Sequence, residues 1–252
     1  MSITNERDLA GMRKVSEAVA VTLKEMCEFV RPGMSTKMLD DFGGQVLGRF
    51  GARSAPRLTY NFPGHTCISL NGEIAHGIPS ANRIIREGDL LNIDVSAELD
   101  GYWSDNGGSM VVGEDARQLC PLVDISKSIL KKAIGKISAG VRMNEIGGLM
   151  EKEAKKNGYR VIRNLGGHGV GKSLHEEPHD ILNYRDRYDR RRFRKNTVIA
   201  VETFITTAST LAVELPDGFT LIGNRGGYGV QHEHTIIVTD GQPVILTARN
   251  GI

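Results

Sequence analysis

Two aspartates are spaced so that a single hairpin would bring their carboxylates together. Asp94 lies in the strand-like run LLNIDV, and the following pair Asp100-Gly101 is typical of a two-residue hairpin turn. That turn would set Asp94 opposite Gly107, with Asp105 on the same face and the two Cβ atoms on the order of 7 Å apart. Gly107 has no side chain and would leave room beside them. Because an unpaired buried carboxylate is costly, either a metal ion or an arginine or lysine must neutralise Asp94.

More acidic and imidazole groups occur in the second half of the chain. Glu202 interrupts the β-rich run VIAVETFI, and Glu233 stands just ahead of a strand predicted to begin at Thr235. His168 lies in GGHGVG, where glycines allow close backbone approach, and His175 follows in SLHEEP. A lone histidine is more often a core or surface residue. Together, the four carboxylates and His168 form a ligand set suited to divalent Mn, Fe, Co or Zn, large enough for two ions.

Two helix pairs must position these residues. Apolar residues at steps of three and four predict a helix over residues 5–30, followed by a second helix capped by Thr36. The same pattern returns as a helix over residues 116–137, followed by one capped by Asn144. β-rich runs follow each pair.

Glycines at matching positions indicate that this arrangement arose by internal duplication. Gly33 and Gly140 are 107 positions apart, and so are Gly51 and Gly158. The alternative is that two helical hairpins of similar length arose by chance, because the match is in pattern more than in identity.

The order of elements predicts an α+β fold. We expect two pseudo-symmetric halves, approximately residues 5–113 and 114–247, with helices packed on one side of a mostly antiparallel curved sheet. No linker between the halves is long enough to separate two domains. We therefore expect one catalytic domain over residues 1–252.

The composition excludes several classes of protein. The chain has 252 residues, with 32 Lys+Arg against 30 Asp+Glu and a formal net charge of +2, so it is not uniformly basic for nucleic acid. Three scattered cysteines, without a C-x-x-C pair, exclude a disulfide framework or a cysteine zinc finger. No apolar stretch is long enough for a membrane span or a signal peptide. We expect a cytoplasmic protein that does not bind membranes.

Five segments of the chain resemble type I methionine aminopeptidases of the bacterial kind. In order, they are NFPGHTCISLNGEIAHGIPS, REGDLLNIDVSAELDGYWSD, NLGGHGVGKSLHEEP, VIAVETFI and QHEHTIIVTDG. The resemblance spans nearly the whole chain, and the combination is far more specific than any single segment. It implies the pita-bread fold, whose pseudo-symmetric halves agree with the repeat. It also implies an enzyme that removes the initiator methionine from nascent chains whose second residue is small.

The resemblance further implies a role for each matching residue. The implied metal ligands are Asp94, Asp105, His168, Glu202 and Glu233. His76, in AHGIP, and His175 would contact the substrate and the developing tetrahedral intermediate. Two divalent ions (Co, Mn, Fe or Zn) would bridge a hydroxide that attacks the scissile carbonyl, and Glu202 would accept the proton.

The implied pocket for the methionine side chain is apolar. Its residues are Phe62, Cys67, Leu174 and Phe219, beside His76. Ordinary core packing is the alternative interpretation of each. Two positions depart from the family pattern or add to it. Thr203 follows Glu202 where proline is common, and His65 stands near the pocket, where it could tune substrate access or do nothing.

The segment Arg185–Lys195 has seven basic and two acidic residues, a local charge of +5. It is either a solvated loop or a contact with ribosomal RNA, which would hold the enzyme near nascent chains. We expect the protein itself to be a monomer.

Two alternative functions remain open at the level of sequence. One is an Xaa-Pro aminopeptidase or prolidase-like peptidase of the same fold. Such chains usually carry an N-terminal domain, whereas the first helix here begins within ten residues of Met1. The other is a non-catalytic pita-bread binding protein, which we would expect to have lost ligands.

Overall fold

The computed structural model describes residues 1–252, which form five helices and thirteen strands. The helices are α1 (Glu6–Phe29), α2 (Thr36–Arg49), α3 (Ala55–Tyr60), α4 (Cys120–Ile134) and α5 (Met143–Lys156). The first strands are β1 (Arg53–Ser54), β2 (Cys67–Leu70), β3 (Glu73–Ala75), β4 (Leu90–Leu99) and β5 (Tyr102–Val111). The later strands are β6 (Arg160–Val161), β7 (Gly166–Gly169), β8 (Glu176–Leu182), β9 (Val198–Thr206), β10 (Ala212–Glu214), β11 (Leu221–Gly223), β12 (Gly229–Ile237) and β13 (Val244–Ile245).

Helices α1 and α2 begin and end close to the predicted positions. The Asn5 side chain caps α1 by accepting a hydrogen bond from the Asp8 amide, at 2.9 Å. The cap of α2 is Ser35, so the prediction of Thr36 is wrong by one residue. The Thr36 hydroxyl instead bonds the amide and the carbonyl of Ser80, which fixes α2 to a neighbouring loop.

Helices α4 and α5 differ more from the prediction. The carboxylate of Asp115 accepts hydrogen bonds from the amides of Leu119 and Cys120, and this turn delays the start of α4. Asn144 does not cap α5 but lies inside its first turn, where its side chain donates to the Asp186 carbonyl at 2.9 Å. In α4 a side chain ahead of the helix binds the amides at its start, and in α5 a side chain inside the helix binds a partner outside it.

The β4–β5 hairpin has the predicted register. Asp100 and Gly101 form the turn, both with positive φ (54° and 80°), as a type I′ turn requires. Asp94 pairs with Gly107 across the hairpin, and Asp105 pairs two residues away on the same face. The prediction that the two aspartates share a face is confirmed.

Strands β9 and β12 place two glutamates directly opposite each other. Glu202 on β9 is the cross-strand partner of Glu233 on β12, and all nine residues of each strand are buried. Glu233 lies in the middle of β12, so the predicted strand start at Thr235 is wrong. The sequence does not indicate the start of this strand because the polar residues Gln231 and His232 interrupt its apolar pattern. Both side chains are hydrogen-bonded inside the protein.

The strands form three sheets in which every pairing is antiparallel. Their orders are β1-β4-β2 with β5 beside β4, β10-β11-β3, and β13-β12-β9-β7-β8 with β6 beside β9. One apolar core lies between α1, α2 and the β4–β5 hairpin, and a second lies between α4, α5 and strands β9 and β12. The α+β prediction is confirmed.

Hydrogen bonds join the two large sheets where β5 lies beside β12. The Thr235 hydroxyl accepts from the amide of Asp105 at 3.1 Å and donates to its carbonyl at 2.7 Å. The core under α1 also contains Val198, Ala200 and Ile237 from the second half of the chain. The predicted duplication itself stays a prediction. No helix of the chain combines the length and the apolar character needed to cross a membrane.

Candidate metal centre and substrate cavity

A cavity of about 540 Å³ opens between the two halves. All five predicted metal ligands line it: Asp94 on β4, Asp105 on β5, His168 on β7, Glu202 on β9 and Glu233 on β12. Each ligand comes from a different strand, so backbone hydrogen bonds fix all five positions. The glycines around His168 allow β7 to lie close to its neighbours, because a Cβ at Gly167 would overlap the Ala200 carbonyl.

Asp105, His168 and Glu233 form the tightest group. One ligand atom of each lies within 4.8 Å of the other two. His168 Nε2 is 3.8 Å from Asp105 Oδ2, and His168 Nδ1 is 3.0 Å from the carbonyl oxygen of Gly169. Because a carbonyl only accepts, Nδ1 carries the hydrogen and Nε2 presents a lone pair towards the carboxylates.

Burial and mutual repulsion disfavour ionisation of the carboxyl groups. Burial raises the pKa of Asp105 to about 6. Burial, followed by the charges of neighbouring carboxylates, raises the pKa values of Asp94, Glu202 and Glu233 well above their ordinary range. Burial also lowers the pKa of His168 to about 3, so the ring is neutral. All four carboxyl groups can ionise together only beside added positive charge.

The donor atoms suit a divalent cation. Asp105 Oδ1 and Glu233 Oε1 are buried and have no hydrogen-bond partner, although buried polar atoms nearly always have one. Orphaned carboxylate oxygens beside an imidazole lone pair are the mixed O/N donor set that Mn, Fe, Co and Zn accept. The residues therefore fit a metal ion of this class.

The two histidines predicted to face the substrate also line the cavity. His76 has a left-handed backbone conformation, with φ of 56°. The His175 ring centroid lies 4.1 Å from that of His168. The hydroxyl of Tyr60 lies 2.6 Å from His175 Nδ1. The prediction missed Tyr60, because nothing in the sequence relates the end of α3 to a loop 115 residues later.

The residues predicted to hold a methionine side chain lie together on the cavity wall. They are Phe62, Cys67, Leu174 and Phe219, and the structure places all four in the lining. The rings of Phe62 and Phe219 meet edge to face with centroids 5.1 Å apart. Cys67 on β2 pairs with Asp94 on β4, so this apolar wall adjoins the carboxylates directly.

The prediction also missed Gln231, whose side-chain amide lies among the glutamates. Its Nε2 is 2.8 Å from Glu233 Oε2 and 3.4 Å from Glu202 Oε2. Gln231 precedes Glu233 by two positions, and side chains two apart on a strand share a face. Once Glu233 is assigned to a strand, Gln231 follows from the sequence.

Two residues singled out in the sequence lie away from the cavity. The Thr203 hydroxyl is 2.8 Å from that of Ser126 on α4, so Thr203 faces away from its neighbour Glu202. The His65 amide donates to Asp40 Oδ1 at 2.8 Å, and its ring lies 3.3 Å from an Arg57 nitrogen. His65 therefore helps to anchor a loop and does not line the cavity.

Asp40, Asp41 and His65 form a second group with metal-ligand geometry. Here, however, Lys37 forms an ion pair with Asp41, and the Arg57 guanidinium lies beside His65. Asp40 Oδ1 accepts two backbone amides and the Thr66 hydroxyl. Two cations and a fixed loop already surround this group, in which Asp40 Oδ2 is the one buried oxygen without a hydrogen-bond partner.

The basic segment Arg185–Lys195 is largely exposed and is anchored to the rest of the protein at several points. The Arg191 guanidinium pairs with Asp189 and donates to the carbonyls of His179 and Asp180. Phe193 is buried, and Lys195 forms an ion pair with Asp240. Arginines of the segment line a separate cavity of about 650 Å³.

Comparison with known proteins defines the class. Residues 10–240 match the model of metallopeptidase family M24, and the chain belongs to this family. It is 46% identical over 247 residues to methionine aminopeptidase 2 of Bacillus subtilis, covering 98% of this chain and 99% of that protein. A methionine aminopeptidase of Staphylococcus epidermidis is 40% identical over 248 residues, with 98% of each chain covered. The methionine aminopeptidase structure from Thermotoga maritima has a TM-score of 0.93 and 30% identity, covering 98% of this chain and 99% of that chain.

More distant structures share the fold alone. The prolidase of Pyrococcus horikoshii has a TM-score of 0.76 at 24% identity, and the match covers 97% of this chain but 63% of the prolidase. Methionine aminopeptidases and prolidases thus share the pita-bread fold with this chain, as predicted.

Proposed function

We propose that this M24 metallopeptidase is a methionine aminopeptidase, which removes the N-terminal initiator methionine from nascent proteins whose second residue is small. The observation that carries the proposal is the cavity in which a metal-ligand cluster adjoins an apolar wall. The names of relatives at 46% and 40% identity over nearly full length support it. The wall formed by Phe62, Cys67, Leu174 and Phe219 suits an unbranched, sulfur-containing side chain.

The proposed metal ligands are Asp94, Asp105, His168, Glu202 and Glu233, which we infer hold two divalent ions. When bound, such ions polarise a carbonyl and lower the pKa of water. The proposed ligand assignment is supported by three atoms without a hydrogen-bond donor, which are one oxygen each of Asp105 and Glu233 and Nε2 of His168. Metal analysis of protein purified without added metal, followed by titration of activity with Mn(II), Fe(II), Co(II) and Zn(II), would identify the ion and the number required.

The chain's own residues then handle the substrate. Glu202 accepts the proton released by the attacking water, and His76 contacts the peptide. His175 donates to the oxygen that becomes negatively charged on the substrate carbonyl. A Tyr60 hydroxyl that donates to His175 Nδ1 would leave the hydrogen on Nε2, the nitrogen able to make this bond.

The decisive experiment is a peptide panel. Met-Ala-Ser peptides should lose methionine, peptides with a bulky second residue should react slowly, and Xaa-Pro peptides should stay intact. Cleavage of Xaa-Pro peptides alone would favour the prolidase-like alternative. Absence of hydrolysis with metal bound would favour a non-catalytic binding protein.

We also propose that the protein acts as a monomer in the cytoplasm and that the segment Arg185–Lys195 contacts the ribosome. Every residue of the proposed site belongs to one chain, and the local charge of the segment is +5. Co-sedimentation with ribosomes at increasing salt should be lost when Arg190 and Arg194 are replaced by glutamate. Unchanged sedimentation would reject the ribosome contact.

A further inference from the structure

Gln231 contacts both glutamates of the candidate metal centre through one nitrogen. Its Nε2 is 2.8 Å from Glu233 Oε2 and 3.4 Å from Glu202 Oε2. The other oxygen of Glu233, Oε1, is buried and has no hydrogen-bond partner. Gln231 thus holds one oxygen of Glu233 by a hydrogen bond, while the other oxygen has no partner within the protein.

The direction of the Gln231 amide is fixed by a chain of hydrogen bonds that starts at a backbone carbonyl. Asn92 Nδ2 lies 3.3 Å from the Gln231 carbonyl oxygen, which can only accept, so this Asn92 atom must be the nitrogen. The same Nδ2 lies 2.9 Å from Gln231 Oε1. Because Oε1 accepts from Asn92, Nε2 with its two hydrogens must point at the glutamates.

Gly107 provides the space that the amide occupies. A Cβ atom at this position would overlap Gln231 Oε1. The room that Gly107 was predicted to leave beside Asp94 is therefore filled by this side chain. The Gln231 backbone is fixed as well, since its amide and carbonyl both bond the Ser109 hydroxyl at 3.0 Å.

We propose that Gln231 is a positioning residue, oriented by Asn92, which holds the carboxylates of Glu202 and Glu233 in the orientation that would bind metal. The inference rests on the proposed metal site. Partners that orient metal ligands typically contribute 10- to 100-fold to metal affinity or activity. Without the amide, both carboxylates lose this hydrogen bond and can rotate away from that orientation.

The test is Gln231→Met, which keeps the approximate shape and removes the donor. Calorimetric titration of the metal-depleted protein with Mn(II) should show affinity reduced about 10- to 100-fold. The visible spectrum of the Co(II)-loaded variant should change in intensity, because the intensity depends on the number and geometry of the coordinating atoms. A wild-type isotherm together with a wild-type spectrum would overturn the proposal.

A second variant, Asn92→Leu, acts without touching either glutamate. It should weaken Mn(II) binding less than Gln231→Met does, and it should have no further effect when combined with Gln231→Met, because the two residues act through one amide. If the two substitutions reduced Mn(II) affinity additively, Asn92 would not act through the Gln231 amide. The pair also keeps the proposal testable if one variant fails to fold.

The matched control is Ser126→Ala. Ser126 bonds Thr203 and His232 on the same two strands but does not contact the Gln231 side chain. The Ser126→Ala variant should bind Mn(II) like the wild type. If it lost as much Mn(II) affinity as Gln231→Met does, the effect of Gln231→Met would be one of general destabilisation. If the wild type itself binds no metal in the cavity, the proposed function fails. If it binds metal and the variants match it, only the positioning role fails.

Discussion

The hydrogen bond from His168 Nδ1 to the Gly169 carbonyl determines the chemistry of the opposite nitrogen. It leaves Nε2 as an acceptor, 3.8 Å from Asp105 Oδ2. Burial keeps the ring neutral, with its pKa lowered to about 3, so it can serve as a ligand over the whole physiological range. At the residue scale, one backbone carbonyl thus suits His168 to the proposed role of metal ligand and not to that of proton carrier.

Replacing His168 should remove activity without unfolding the chain. His168→Ala deletes the only imidazole in the tight ligand group, and we expect peptide hydrolysis to fall at least 1,000-fold, on the order of 4 kcal/mol in the barrier. The rate of methionine release from a Met-Ala-Ser peptide measures the effect. His65→Ala, which removes a histidine outside the cavity, is the control and should retain most of the rate. A fully active His168→Ala protein would refute the assignment.

Tyr60→Phe tests whether the phenol sets the hydrogen position of His175. Loss of one hydrogen bond of about 1 kcal/mol should lower kcat about fivefold, with a smaller change in KM. Steady-state kinetics on a methionyl peptide separate the two constants. Tyr188→Phe, at an exposed tyrosine, is the control. An increase in KM alone would show that Tyr60 only forms part of the binding surface.

The sequence predicts the residues that carry charge better than those that orient them. Metal ligands are confined to few residue types, and the hairpin turn at Asp100-Gly101 alone gives the register of Asp94 and Asp105. Gln231 could have been predicted from the sequence, because it lies two positions from Glu233. Tyr60 could not have been predicted, because the path of the loop that contains His175 depends on tertiary packing.

At the element scale, helix ends and strand starts depart from the sequence pattern where polar side chains find distant partners. Asn144 bonds Asp186 and does not cap α5. Strand β12 begins with buried polar residues whose hydrogen bonds to β5 and α4 cannot be seen locally. The order of elements was nonetheless predictable, because apolar periodicity and turn residues are local properties.

Two adjacent glycines in α5 should respond oppositely to substitution. A Cβ at Gly147 would overlap the carbonyl oxygens of Leu182 and Tyr184, whereas one at Gly148 would lie 3.2 Å from Arg185 Cβ, a milder contact that a small shift of this exposed residue relieves. We expect Gly147→Ala to lower the free energy of unfolding by about 1–3 kcal/mol. Gly148→Ala should be neutral or stabilising by up to about 1 kcal/mol, because alanine favours helix. Urea denaturation measures the free energy of unfolding of both variants. Equal changes in the two variants would contradict the packing of α5 on β8.

At the scale of the whole molecule, the proposed metal ligands come from both halves. Strands β4 and β5 supply the aspartates, while β7, β9 and β12 supply the histidine and the glutamates. The halves are joined beside the cavity by hydrogen bonds from Thr235 to Asp105 and from Gln231 to Ser109. We propose on this basis that residues 1–252 are one domain built from a duplicated unit.

Metal removal should reverse the pH dependence of stability. Burial raises the pKa of Asp105 from 3.8 to about 6, so the metal-depleted native state holds a proton that the unfolded chain has released. Its free energy of unfolding should therefore fall as pH rises from about 4 to 7, by up to about 3 kcal/mol for this group. Denaturation of the chelator-treated protein between about pH 4 and pH 7 measures this change in the free energy of unfolding.

The same measurement has two controls. Asp105→Asn should make the slope shallower without abolishing it, since the asparagine does not titrate whereas the raised pKa values of Asp94, Glu202 and Glu233 still contribute. Saturating Mn(II) at pH 7 should restore stability, by about 2.7 kcal/mol at 100 times Kd. Stability that rises with pH in the metal-depleted protein would contradict the burial of an uncompensated carboxyl group.

The hydrogen bonds between β5 and β12 also have a consequence for the order of folding. They connect residues 122 and 130 positions apart in the chain, so they form only after a long stretch of polypeptide has closed on itself. Contacts of such separation are slow to form compared with the local hairpin that aligns Asp94 and Asp105. We therefore expect the hairpin to form before its partners arrive and the proposed centre to be completed late in folding. A partly folded chain would then lack the assembled site.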